Sequence, residues 1–124
     1  MFIEKFIRDG IEYYDEENVL MAGFNRRTFY LLLQAILVRY LKLSPAEAKN
    51  KVDSSYLFES EINCDMDIGY YSHEIPWHWA MICQYGEMYW IGHPERLSPP
   101  SDYDAWEADW LSSPDRPDEI FYYR

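Results

Sequence analysis

With 124 residues, 48% of them hydrophobic, the chain has the size of one domain and enough apolar content for a core without disulfides or metal. Its formal charge of −11 repels nucleic-acid phosphates and anionic lipid, which argues against direct contact with either and favours encounter with a basic protein partner. Phe, Trp and Tyr make up 19% of the chain, and the polar tips of Tyr and Trp suit half-buried positions at a core edge or an interface.

Taken in chain order, the N-terminal stretch places Phe2, Ile3, Phe6 and Ile7 on one helical face, predicting a short helix that ends near Gly10. Charges interrupt this stretch, unlike the apolar region of a secretory signal. After the acidic Asp15-Glu16-Glu17, Val19-Leu20-Met21 reads as a short helix or a strand.

Residues 26–43 give the clearest element. Phe29, Leu32, Leu33, Ile36, Leu37 and Tyr40 recur at helical spacing, Leu31, Val38 and Leu41 broaden the face, and Asn25 is a favourable N-cap. Arg39 and Lys42 suit the negative end of this helix, whereas Arg26 and Arg27 at its start call for acidic neighbours or solvent. The longest apolar run, 31–38, is far short of the roughly 20 residues that cross a bilayer.

Ser44-Pro45-Ala46-Glu47 is a capping box with proline in the first turn, predicting a second helix to about Phe58. Residues 59–74 are acidic and irregular, and predict a loop. Pro76 and Gly86 bracket a third strong helix, apolar nearly all round and expected to be buried. The segment 87–94 reads as short helical or extended structure ended by Pro94. In the tail, Ser101 or Asp102 is placed to cap a short helix carrying Trp106 and Trp110; Pro114 and Pro117 end it, and Ile120-Phe121-Tyr122-Tyr123 forms an apolar anchor. The fold class predicted is mostly α: a compact helical single domain, 1–124, with an irregular acidic loop and a C-terminal tail.

Charge is segregated along this order. Of 22 acidic residues only Glu47 and Asp53 fall within 25–57, and Arg26, Arg27, Arg39, Lys42, Lys49 and Lys51 of the 11 basic ones lie there. The acidic excess sits in the 59–74 segment and the tail.

The residues give little support to catalysis. His73 and His78 are five apart, which does not align them as helical zinc ligands at i and i+4. Asp65-Met66-Asp67-Ile68-Gly69 starts like a calcium loop but lacks the third acidic ligand, the correctly placed glycine and the glutamate at the twelfth position. Cys64 and Cys83 belong to no C-x-x-C pair and read as buried thiols of a reducing compartment, with an acidic and an apolar setting respectively that both discourage a thiolate. No phosphate-binding glycine loop is present. No cofactor, no metal and no enzymatic activity are expected, and cytoplasmic residence is the default.

The run Pro76-Trp77-His78-Trp79-Ala80-Met81, followed by Tyr85-Gly86, Tyr89-Trp90 and His93-Pro94, resembles a pattern in bacterial immunity proteins of contact-dependent growth inhibition and other polymorphic toxin systems. The likeness covers about residues 75–105. It implies a chain that neutralises a cognate toxin domain by binding and occluding its active site, with no catalysis of its own. A nuclease toxin would have the basic cleft that suits an acidic inhibitor. The surfaces expected to meet it are Glu59, Glu61, Asp65 and Asp67 in the acidic loop, and Asp102, Tyr103, Asp104, Glu107 and Asp109 in the tail. The alternatives are a structural or regulatory interaction subunit, homodimeric through its basic helix and acidic tail, and an enzyme built around His78 and nearby carboxylates.

Overall fold

The structure, a computed structural model, describes residues 6–123. Its elements are strands β1 (Ile11–Tyr14), β2 (Leu20–Phe24) and β3 (Phe121–Tyr122), and helices α1 (Arg26–Leu41), α2 (Pro45–Asp53), α3 (Asp65–Ser72), α4 (Pro76–Tyr85) and α5 (Tyr103–Leu111). Short 3-10 turns cover Tyr56–Phe58 and Pro94–Leu97. The fold is mostly α, with one small antiparallel sheet of order β1-β2-β3. No helix among the described residues is long and apolar enough to cross a membrane.

Phe2 and Ile3 lie outside the described residues; Phe6 is helical and Ile7 is buried. Val19-Leu20-Met21 enters a strand, not a helix, because Asp15 organises a hairpin turn. Its carboxylate accepts from the N–H groups of Glu17 and Val19, and Asn18 adopts a left-handed backbone at φ 66°. The C-terminal anchor becomes β3, pairing Phe121 with Phe24 and Tyr122 with Gly23. Gly23 is required there: a Cβ would sit 2.1 Å from the Tyr122 ring. Phe121 stacks on Phe24 at 4.8 Å, so the two ends of the chain share one sheet.

Helix α1 is the axis of the core, with Phe29, Leu32, Leu33, Ile36 and Leu37 fully buried. Burying each of these side chains contributes about 1.5–3 kcal/mol. The helix ends at Leu41, two residues earlier than the sequence predicts, because Lys42 turns left-handed and the N–H groups of Lys42 and Leu43 return to the Leu37 carbonyl. Asn25 occupies the N-cap position, yet its side chain is used elsewhere: Oδ1 accepts from Gly10 N–H and Nδ2 donates to the Glu119 carbonyl, each at 2.9 Å. Asp9 takes over the cap, accepting from Thr28 N–H and from the Thr28 hydroxyl.

Arg26 corrects a second expectation. Its guanidinium is buried without a carboxylate, donating to the carbonyls of Phe6 (3.1 Å) and Leu57 (2.9 Å) and lying over the Phe58 and Tyr71 rings. Carbonyl dipoles and aromatic faces here replace the acid the sequence calls for. Arg27 is exposed to solvent.

The Ser44–Glu47 capping box forms in both directions and starts α2, but this helix stops at Asp53 and Tyr56–Phe58 is a separate turn. Helix α3 overturns the loop expected over 59–74. Asp65 and Asp67 lie in its first turn, where they favour the positive end of the helix, and Asp67 accepts from Asn63 N–H at 2.8 Å. Its buried Ile68 and Tyr71 face the core, and Tyr71 supplies the carbonyl that the Trp79 indole N–H binds at 2.9 Å. Helix α4 has Pro76 at its start and Gly86 just past its end, as expected, and packs on α1 and α2. Residues 87–94 form turns with no element before the Pro94–Leu97 turn.

Candidate functional site: an acidic face on the last helix

Helix α5 carries two different faces. Tyr103, Trp106 and Trp110 recur at helical spacing on one side, and Asp104, Glu107, Ala108 and Leu111 on the other. The first face holds the helix to the end of α1. Tyr40 lies 5.5 Å from both Trp77 and Trp106 and 5.9 Å from Tyr103, in tilted and edge-on contacts. Tyr103 is 1% exposed and belongs to the interior, so its ring is not available to a partner, in contrast to the sequence reading.

Asp102 stands at the N-cap position but does not cap. Its carboxylate instead receives Arg39 at 3.0 Å and the Tyr40 hydroxyl at 3.2 Å, and the Arg39 bond holds its pKa below the ordinary value. Asp102 is therefore the latch between α1 and α5, and its charge is already partnered.

The second face borders an open depression of about 640 Å³ lined by Asp104, Glu107, Ala108, Leu111, Ser112 and Asp118. Three carboxylates thus surround a partly apolar floor. Among the described residues, Asp104, Asp109 and Asp118 make no side-chain hydrogen bond and no ion pair. Glu107 accepts from the Tyr103 hydroxyl. Burial raises the Glu107 carboxyl above its ordinary pKa despite that donor, and the neighbouring Asp104 charge adds to the rise. A carboxylate is being kept where its own fold disfavours the charge.

The predicted acidic loop is a weaker surface. Asp65 and Asp67 serve the start of α3, as described above. Glu59 and Glu61 are exposed; Glu61 borders a separate groove of about 300 Å³ that also contains Arg8 and Tyr13. The structure brings together Asp104 and Glu107 from the predicted set, with Asp109 on an adjoining side of the same helix. Asp118 is an addition. In the sequence it counted only as part of the tail's charge, because nothing in the spacing shows that the chain folds back after Pro117 to lie beside α5.

The remaining chemistry is modest. His78 is half-buried, with Nδ1 2.7 Å from the Tyr89 hydroxyl, and burial lowers its pKa. It lines a shallow, aromatic-walled cleft of about 150 Å³. Burial pushes the Cys83 thiol up to about 11, so the thiolate is scarce near neutrality. Both cysteines are free, and both are half-buried. Among the described residues no three His, Cys, Asp or Glu side chains are grouped to hold a metal ion. In comparisons with known proteins, no family model, curated protein or solved structure matches this chain.

Proposed function

We propose that this chain is an immunity-type protein that binds a basic effector domain, of which a nuclease toxin is the best-suited kind, and neutralises it by occluding its active site. The observation that carries the reading is the α5 face, where Asp104, Glu107 and Asp118 surround one depression that no described cation lines. Carboxylates so arranged suit the Lys and Arg side chains of a substrate-binding cleft, while Ala108 and Leu111 offer apolar contact between them. The net charge of −11 supports it at longer range by drawing a basic partner in and repelling acidic ones. The aromatic pattern over 75–105 adds the resemblance to immunity proteins.

The homodimer reading, in which the basic helix of one copy docks on the acidic tail of another, has less to recommend it. Arg39 of the basic window already meets Asp102 of the tail within one chain.

The test is to mix the chain with the effector domain encoded beside it and follow the mass of the species by size exclusion with light scattering. A one-to-one complex at micromolar concentration, accompanied by loss of the effector's activity, is expected. Two independent monomers at that concentration would overturn the proposal.

A further inference from the structure

Between α3, α4 and the turn after α4 lies the 150 Å³ cleft, lined by the rings of Tyr56, Tyr70, His73, His78 and Trp90 and by Glu87. It adjoins a second hollow of about 330 Å³, with which it shares Tyr56 and Glu87. The walls are braced by their own contacts. Tyr70 lies 5.4 Å from the buried Trp79, His78 lies 5.4 Å from Trp79 on another side, and the hydroxyls of Tyr56 and Tyr70 are 3.1 Å apart. Tyr70 is nevertheless 45% exposed, so a braced aromatic face is open to solvent.

The electrostatic setting is negative. Glu87 acts directly on the Tyr56 hydroxyl, and Glu74 and Glu87 both act on the His78 ring, with His73 opposing them there. His78 contributes no opposing charge at neutral pH, because burial favours its uncharged form. The basic groups nearby are His73 in the cleft and Lys51 in the adjoining hollow.

Elsewhere this chain covers aromatic rings with its own arginines: Arg96 over Tyr85 and Arg116 over Trp110, each at 3.7 Å, and Arg39 over Trp106 at 5.8 Å. Among the described residues, no arginine or lysine lies over a ring of the cleft. The cleft has the rings and the carboxylate of a cation site, and no described arginine or lysine occupies it.

We infer that this cleft receives an arginine side chain of the bound partner, with its guanidinium among Tyr70, His78 and Trp90 and the Glu87 carboxylate as counter-charge. Arginine fits better than lysine because a planar, weakly hydrated guanidinium can stack on rings and bond a carboxylate through two N–H groups at once. The inference rests on the reading of the chain as a binder of a basic protein, and adds a second contact to the α5 face.

Its test needs no partner protein, so its failure is separable from failure of that reading. N-acetyl-arginine methylamide is titrated into the full chain, with the uncharged N-acetyl-citrulline methylamide as control, while the indole N–H of Trp90 and the His78 ring are followed by NMR. Saturable shifts with the arginine probe alone are expected, and Glu87→Gln should weaken binding about fivefold, the effect of removing one partly exposed charge-assisted bond. Glu87 is exposed, so this variant keeps its fold. Equal shifts with the citrulline probe, no shifts with either, or unchanged affinity in Glu87→Gln would each overturn the inference.

Discussion

Asn25 is the residue whose role departs most from its local sequence signal. Read locally it is a helix cap; in the fold it joins Gly10 to Glu119, and its own N–H donates to the Ile120 carbonyl at 2.8 Å. Asn25→Ala leaves a backbone donor and a backbone acceptor without their partner in a part-buried setting. At about 1–3 kcal/mol for each unsatisfied group, a loss of roughly 2–4 kcal/mol is expected in urea unfolding. A loss below about 0.5 kcal/mol would show that solvent replaces the side chain and that the junction is not held by it. Glu107 offers a test of opposite sign. Its folded pKa is raised above the ordinary 4.5, so its contribution to stability is fully present below that value and is lost as pH rises through the folded pKa. Glu107→Gln keeps an acceptor for Tyr103 and removes the buried charge. Its melting temperature should therefore exceed that of the native chain at pH 7 and converge with it near pH 4, while affinity for the effector falls. A variant no more stable at pH 7 would contradict the raised pKa.

At the scale of elements, legibility followed the strength of local signals. The period of α1, the capping box of α2 and the Pro76–Gly86 bracket of α4 all derive from interactions within a few residues, and the fold keeps all three. Helix α3 was not legible because only Ile68 and Tyr71 point inward, too few to display a period, while its acidic first turn reads equally well as a solvated loop. The sheet was hidden for a different reason. Its third strand is the two residues Phe121–Tyr122, and its pairing with β2 spans nearly the whole chain. Two of the three carboxylates of the candidate site were accessible in the same way: Asp104 and Glu107 share a face by helical spacing, but Asp118 joins them only through tertiary folding. Tyr103 was misplaced because an aromatic beside acids suits an interface in sequence, and only the position of Tyr40 and Trp77 shows that it faces inward.

Over the whole molecule, the segregated charge of the sequence has two consequences. Part of it is used internally, in the Arg39–Asp102 latch and the Lys49–Asp53 pair on α2, and such exposed pairs contribute about 0–1 kcal/mol to stability. In the tail, Asp104, Asp109 and Asp118 make no ion pair among the described residues, and together with Glu107 they are the basis of the proposed recognition. The most direct measurement is the association rate constant with the neighbouring-gene effector domain, taken across ionic strength for the native chain and for an Asp104→Asn, Glu107→Gln, Asp118→Asn variant. As the Debye length falls from roughly 30 Å at 0.01 M to roughly 3 Å at 1 M, the native rate should drop by at least about tenfold. The variant should associate more slowly at low salt and show a shallower dependence. Equal rates and equal salt slopes for the two proteins would contradict a binding role for the α5 face.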